Sequence, residues 1–581
     1  MRKRDGETRG HGDAEKRHRA NGAARRSHRE SSVAEGSRAA PPPVASAGNR
    51  APADLRALTE RILAEEEILR RGGGESGHAR QRKLGRMPVR ERLALLLDRD
   101  SHFLELNLWA AWGMYPEVGE VPAAGVVTGV GTVSGRLCMI VANDATVKAG
   151  AFFPATCKKV LRAQKIAARC NLPLIYLVDS AGVYLPMQDE IFPDEDDFGR
   201  IFRNNAVLSA MGIPQYAAVM GNCVAGGAYL PVLSDKLLMT EGSNLYLAGP
   251  ALVKAAIGQD VSDEELGGAA MHAQISGTCD FREPNDAACL ERLRSLVDLL
   301  PANGSDARSG EPPASDPESL YQLVDPDGHH PYDVHELLAC VVDGGSLQEY
   351  RAEYGKTLVC AYASIGGRKV GIVADQRLPL RSARGDVQIG GVVYGDSADK
   401  AARFVMDCNQ TGLPLVFFQD VVGFMVGREA EQHGIIRSGA KLVNTVSNST
   451  VPKVTVIVGG SFGAGSYALC GKAFDPAFIF AWPGARYAVM GAEQATDTLV
   501  QLRRRQAERS GKTLAPDELE ELRRTTVADY QAQTDIRYGA ARGWVDAIIA
   551  PHTTRDVLID ALLLATRPAP AGGFRAGVLQ V

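Results

Sequence analysis

The sequence predicts an α/β fold in which one domain is built twice. Three observations predict it. Short apolar runs of strand length alternate with longer stretches of helical spacing, the pattern of parallel sheets covered by helices. LPLIYLVD (172–179) returns as LPLVFFQD (413–420), 241 positions later. IPQYAAVMGNCVAGG (213–227) returns as VPKVTVIVGGSFGAG (451–465), 238 positions later. Chance resemblance of two α/β units would explain the first pair; both pairs, in one order and at nearly one offset, point to duplication.

Taken in order, residues 1–50 contain no Leu, Ile, Phe, Trp or Tyr and carry 12 Lys+Arg against 6 Asp+Glu. Such a segment cannot bury enough apolar surface to offset ordering, so a disordered basic tail is expected. An organelle transit peptide would also be Arg-rich, but the six acidic residues count against it. Leu55, Leu58, Ile62, Ile68 and Leu69 recur at helical spacing, and RGGGESG (71–77) reads as a break before a second helix at 89–98. Residues 123–144 give two strands around a turn, 154–170 a helix, 172–179 a strand buried on both faces, and a helix follows near 197–211. The stretch 301–330 is rich in Pro, Gly, Ser and Asp and reads as a linker. Beyond it the order repeats, with strand–turn–strand at 358–376, a helix at 396–410 and a strand at 413–420. The expected domains are 51–300 and 331–581.

The repeated strand ends in small residues each time. Aligning Pro214 with Pro452 places Gly226 on Ala464 and Gly227 on Gly465. If a helix follows, the amides there have no intrahelical partner and sit at the positive end of its dipole. Small side chains let a ligand oxygen approach them, which is the geometry of an oxyanion hole. A lone glycine turn more often only turns the chain, but a packing glycine has no reason to recur with its whole approach strand. Neither copy reads GxGxxG or GxxxxGK[ST], which disfavours nucleotide binding.

No nucleophile organises itself around these turns. Ser461 lacks the spacing of a nucleophile elbow. His272 and His433 read as solvated loop histidines, and Asp196 or Asp197 as a helix N-cap rather than part of a metal site. An oxyanion stabilised without a protein nucleophile, twice, suggests two carbonyl-bearing ligands facing each other. Bulk properties agree. Net charge is −4 overall, so the acidic body is no nucleic-acid groove. The ten cysteines form no CxxC pair and read as small apolar core residues of a reducing compartment. No apolar run is long enough for a bilayer and no secretory h-region opens the chain, so a cytoplasmic protein with neither membrane nor metal is expected.

The longer motifs are NDATVKAGAFFPATCKK (143–159), DSAGVYLPMQDEIFPDEDDFGRIFRN (179–204), MGNCVAGGAYLPVLSD (220–235), AGPALVKAAIGQDVSDEELGGAAMH (248–272), QDVVGFMVGREAEQHGIIRSGAKLV (419–443) and GGSFGAGSYALCGKAFDPAFIFAWPGARYAVMGAEQA (459–495), with YGAARGWVDAII (538–549). Over roughly 80–570 the chain resembles the carboxyltransferase (beta) subunits of biotin-dependent acyl-CoA carboxylases, and its 185–202 insertion, LPMQDEIFPDEDDFGRIF, resembles the 3-methylcrotonyl-CoA and geranyl-CoA branch. The resemblance implies two tandem crotonase-like ββα-spiral domains in a homo-hexamer or mixed hexamer. It implies acyl-CoA on the first half, beside Lys148, Ala149, Ser180, Ala181, Gly182 and Val183. Gly226 and Gly227 would hold the thioester oxygen. It implies biotin on the second half beside Gly423, Phe424, Ser466 and Tyr467, with Gly463, Ala464 and Gly465 holding its ureido oxygen. Biotin, arriving as carboxybiotin, would deliver CO2 and serve as the base, which accounts for the missing nucleophile. The chain has neither an MKM biotinylation signature nor an ATP-grasp region, so a partner carrying biotin carboxylase and biotin carrier domains is implied.

Ala181, Val183 and Met187 depart from that branch's usual DSGGAN and PRQDE, as does 376–391, which leaves the acyl group open. A decarboxylase relative shares the motifs. A hydratase or isomerase would need an active-site Glu and one working hole. A non-catalytic subunit of a mixed complex is the remaining alternative.

Overall fold

A computed structural model describes residues 54–300, 310–326, 328, 330–381, 385–510 and 515–568. The segment read as a disordered tail lies outside them.

The first sheet has eight strands: β1 (Leu104–Leu106), β2 (Val126–Val133), β3 (Arg136–Asn143), β4 (Leu174–Ser180), β5 (Gln215–Val224), β6 (Lys236–Thr240), β7 (Asn244–Tyr246) and β8 (Phe281–Glu283). Their order is β1-β2-β3-β4-β5-β6-β8, with β7 paired beyond the end of β6 on β5. β1–β2 and β2–β3 are antiparallel and β3 onward is parallel.

The second half holds β9 (Gln348–Tyr350), β10 (Leu358–Ile365), β11 (Arg368–Asp375), the two-residue strands β12 (Leu380–Arg381), β13 (Val387–Gln388) and β14 (Val392–Val393), then β15 (Leu415–Val421), β16 (Gly423–Phe424), β17 (Lys453–Phe462), β18 (Phe478–Ala481), β19 (Arg486–Ala488) and β20 (Ala547–Ile548). Its main sheet runs β9-β10-β11-β15-β17-β18-β20, with β19 paired on β17. This is the first sheet's topology, strand for strand. The irregularities repeat too. The β4–β5 register slips between Val178 and Ser180, and the β15–β17 register slips between Gln419 and Val421, the residues 241 positions on.

The helices leading into β4 and β15 show how sequence sets these elements. The first five α-helices of the described residues are α1 (Leu55–Arg70), α2 (Gly74–Lys83), α3 (Val89–Leu96), α4 (Pro154–Cys170) and α5 (Phe198–Ala210). α4 begins where the Thr156 hydroxyl takes the Phe153 N–H at 3.0 Å, and ends at Asn171 with φ 47°. Its counterpart, Gly395–Thr411, begins where the Ser397 hydroxyl takes the Tyr394 N–H at 3.0 Å and ends at Gly412 with φ 72°. Each start pairs an N3 hydroxyl with the N-cap amide, and each stop uses a residue tolerant of the left-handed region. Buried faces of both helices pack onto the apolar strands.

Two segments differ from expectation. RGGGESG is not a break throughout, because α2 starts at Gly74. The Gly73 N–H donates to the Thr146 hydroxyl at 2.9 Å, and a Cβ at Gly77 would lie 2.8 Å from the Thr146 carbonyl oxygen. These glycines serve close packing, which a sequence reading takes for a turn. The described part of 301–330 is also ordered. Leu320, Tyr321 and Val324 are buried, and Tyr321 Oη lies 2.7 Å from His552 Nδ1. A helical pair, Ala492–Arg509 and Pro516–Thr534, stands out as charged and largely exposed.

Candidate active site

In the first half β5 runs extended to Val224, and the chain then turns at Ala225 (φ 57°) into a 3-10 turn, Ala225–Ala228, and a short helix, Tyr229–Val232. In the second half β17 runs to Phe462 and turns at Gly463 (φ 54°) into the helix Gly463–Ala468. Ala225 and Gly463 are the same position of the repeat. A non-glycine residue in the left-handed region costs on the order of 1 kcal/mol or more, so Ala225 holds a conformation its side chain disfavours. The residues before each turn, Val224 and Phe462, offer no side-chain acceptor to the first amides. Gly226 and Ala464 reach the surface, while Gly227 and Gly465 lie just beneath it.

The first-half residues that the resemblance names come together. The Ala181 N–H donates to the Ala149 carbonyl at 3.0 Å, the Phe152 N–H to Gly182 at 2.8 Å and the Tyr184 N–H to Phe152 at 2.9 Å. The Ser180 hydroxyl donates to the Gly150 carbonyl at 2.7 Å and accepts the Gly182 N–H at 3.1 Å. A Cβ at Gly182 would lie 3.1 Å from the Val224 carbonyl oxygen. The loop of Lys148 and Ala149, the strand end Ser180–Val183 and the Gly226–Gly227 turn therefore form one surface. Lys148 and Ala149 are both left-handed, with φ 45° and 56°, and the Lys148 ammonium is tied to the Val118 carbonyl at 2.6 Å. An aromatic wall flanks the turn. Phe198 packs edge-on to Phe152 and Phe202 at 4.8 and 4.9 Å, and its ring lies 3.4 Å from where a Gly226 Cβ would stand.

The second turn is built alike. β14 and β16 pair in parallel, putting Gly423 and Phe424 beside Val392 and Val393. A Cβ on Gly465 would lie 2.6 Å from Val421 and 3.4 Å from the Gly423 Cα. Ser466 is buried with its hydroxyl 3.3 Å from Tyr487 Oη, while Tyr467 is half exposed against Phe474.

Sequence reading missed what lies beneath both turns. Asp179, next to last in β4, is buried and accepts the Asn222 N–H at 3.2 Å. Asp420 stands at its place in β15, is buried, and accepts the Gly460 N–H at 2.7 Å. A Cβ on Gly221 or Gly459 would lie 2.1 or 2.4 Å from the respective carboxylate, so only glycine fits there. Arg92 and Arg86 face Asp179 at 3.4 and 3.6 Å, and Arg92 also binds Asp286 at 2.8 Å. Burial pushes the Asp179 carboxyl up, with both arginines opposing. Asp420 meets Arg377 at 3.2 Å and the Tyr332 hydroxyl at 3.1 Å. Beside it, burial drives Asp375 well above the ordinary carboxyl range. The repeat offsets, extended one residue at a time, were the signal for both aspartates.

The other polar candidates are occupied elsewhere. Ser461 donates to Gln419 Oε1 at 2.7 Å, His272 Nε2 sits 2.7 Å from the Leu245 carbonyl and His433 Nδ1 2.7 Å from that of Glu429. Asp197 precedes α5 but accepts the Asp194 N–H at 2.9 Å rather than capping the helix. All ten cysteines are buried and unpaired. Among the described residues, no cluster of three or more His, Cys, Asp or Glu is placed to hold a metal, and no helix is long and apolar enough to cross a membrane.

The family model described as the carboxyl transferase domain matches residues 80–570. The chain belongs to this family. Similar members include the biotin-dependent 3-methylcrotonyl-coenzyme A carboxylase beta1 subunit of Mycobacterium tuberculosis, 46% identical over 88% of this chain and 94% of that one. The mitochondrial methylcrotonoyl-CoA carboxylase beta chain of Arabidopsis thaliana is 42% identical over 91% of this chain and 88% of its own. Among solved structures, the beta subunit of P. aeruginosa geranyl-CoA carboxylase superposes with a TM-score of 0.80 at 35% identity, covering 93% of this chain and 100% of that one. The fold is therefore the doubled carboxyltransferase (crotonase) fold, and the chain is a carboxyltransferase of the biotin-dependent acyl-CoA carboxylase type.

Proposed function

We propose that this chain transfers CO2 from carboxybiotin to a branched, unsaturated acyl-CoA of the 3-methylcrotonyl kind. The acyl-CoA occupies the first copy, within 51–300, and biotin the second, within 331–581. The observation that carries this is the duplicated strand-to-helix turn, with small residues and uncapped amides in both copies. The aromatic wall of Phe152, Phe198 and Phe202 supports an apolar acyl chain beside Gly226 and Gly227. The 3-methylcrotonyl and geranyl names of the relatives point the same way.

The second turn suits biotin. Its floor is closed by Gly423, Val421 and Gly465, which leave no room for a side chain at Gly465. When bound, carboxybiotin supplies both the CO2 and the base. The chain's own residues do the rest. Gly226 and Gly227 amides hold the thioester oxygen as negative charge grows on it, each donor contributing on the order of 3 kcal/mol in the transition state. Ala149 and Ser180–Val183 fix the thioester's approach. Gly463, Ala464 and Gly465 amides hold the ureido oxygen. A biotin carboxylase and biotin carrier partner charges the cofactor. The chain works in the cytoplasm as a hexamer in which one copy's acyl half faces another's biotin half.

The test is transfer of labelled bicarbonate, with ATP and a biotin-carrying partner, onto a panel of acyl-CoAs. Label on 3-methylcrotonyl-CoA is expected. An assembled complex that labels none of the panel would mark a non-catalytic subunit.

A further inference from the structure

We infer that Asp179 and Asp420 are paired positioning residues, each holding the strand that aims one turn's amides. The inference rests on the two-turn reading above. Each carboxylate stands next to last in the strand beside the turn-bearing strand, at a register slip that recurs in both sheets. Each accepts one backbone N–H from the residue after a glycine that its own oxygens exclude from carrying a Cβ. The captured amides, on Asn222 and Gly460, lie three residues before Ala225 and Gly463. Those are the left-handed residues from which the donors project. An ordinary parallel ladder leaves no room for a side chain between strands, so the slip and the glycine together make the seat for the carboxylate.

The surroundings differ although the seat is the same. Asp179 is faced by Arg92 and Arg86, with Arg92 also bound to the Met220 carbonyl at 2.9 Å. Asp420 is faced by Arg377 and the Tyr332 hydroxyl, and its own N–H donates to Asp375 at 3.0 Å. Unrelated partners preserve one contact, carboxylate to strand amide. A merely structural charge pair would have no reason to keep that contact while its counter-ions change. Neither aspartate is needed for the chemistry itself; each acts through the amides it places. Misplacing oriented groups by about 1 Å can cost about 100-fold in rate.

The experiment uses the full chain assembled with its biotin-carrying partner. Asp179→Ala should lower kcat for acyl-CoA carboxylation about 100-fold with KM little changed. It should spare the loss of label from the carboxylated partner without acyl-CoA. Asp420→Ala should slow that acyl-independent loss as well. Amide exchange supplies a readout independent of activity. Residues 221–228 should exchange faster in Asp179→Ala and 459–466 in Asp420→Ala, each leaving the other turn protected. Asp179→Asn and Asp420→Asn, which keep an accepting oxygen, should restore both protection and kcat. Faster exchange in both turns together, or no local change, overturns the proposal. If the alanine chains do not assemble, the asparagine chains decide: retained kcat supports the acceptor role, and a 100-fold loss in an assembled chain overturns it. A wild-type chain without turnover would fail the functional reading while leaving the exchange result readable.

Discussion

Gly227 and Gly465 occupy one position of the repeat but not equal space. A Cβ at Gly227 meets only the Phe198 ring, at 3.8 Å, whereas one at Gly465 would stand 2.6 Å from Val421. Neither residue has positive φ, so alanine's backbone preference is not at issue. Gly227→Ala should fold as well as the wild type or better by about 0.5 kcal/mol, since it only narrows the unfolded ensemble. Its methyl would intrude on the bound thioester, lowering kcat/KM by about 100-fold, the effect of losing one oxyanion donor. Gly465→Ala should instead lose about 1–3 kcal/mol of stability through overpacking. Thermal unfolding and label incorporation on the same preparations separate the two. Unchanged kcat/KM in Gly227→Ala would remove Gly227 from the acyl site.

At the scale of elements, a glutamate on an edge strand faces a buried helical lysine in both halves. Glu105 on β1 acts on Lys159 of α4, where burial pulls the lysine down to about 7. Glu349 on β9 meets Lys400 at 3.4 Å and, on its other oxygen, His335 at 2.9 Å. The Glu349 hydrogen bond, with Asp333 at 2.7 Å assisting against burial, raises His335 to about 9. A raised folded pKa stabilises fully below the unfolded value of about 6.5, and the gain disappears as pH rises through 9. The side chain is 38% exposed, so solvent screening leaves roughly 1 kcal/mol. Urea midpoints should fall between pH 6.5 and 9, and His335→Gln should flatten that fall. These elements show what was legible in sequence. The helix expected at 154–170 spans those residues, and that expected at 396–410 spans Gly395–Thr411, because local periodicity and end residues define both. The glycine turns were legible through the repeat. Arg92 was not, because its partners Asp179 and Asp286 lie 87 and 194 positions away and only folding brings them together. Nor was the packing of 320–324, whose polar flanks mask three buried residues.

At the scale of the molecule, the two halves are joined by a buried charge knot. Arg162 of α4, in the first half, grips Asp546 beside β20 at 2.6 and 2.8 Å. Lys472 donates to the same carboxylate at 2.7 Å, and the Ile479 N–H donates to it at 3.0 Å. Asn107 and Ala111 dock on the backbone of Asp546, Val545 and Ala541 alongside, and Glu65 of α1 reaches Arg537 at 3.0 Å. Burial alone would raise the Asp546 carboxyl, yet Arg162 and Lys472 hold it well below the usual range. Such a knot is fragile to partial removal. Asp546→Ala leaves two partly buried cations without their carboxylate and should cost about 3 kcal/mol, whereas replacing Arg162 and Lys472 with Met and Asp546 with Leu together should cost much less. A depressed carboxyl contributes its stability above the unfolded pKa of about 3.9 and loses it as pH falls further. The urea-midpoint gap between wild type and Asp546→Ala should therefore be full at pH 6, begin to narrow below about pH 4 and keep narrowing as pH falls toward the depressed folded pKa. A gap that stays constant across that range would mean that the carboxylate's charge does not hold the halves together. The docked backbone of Asn107 and Ala111 would then have to carry the joint.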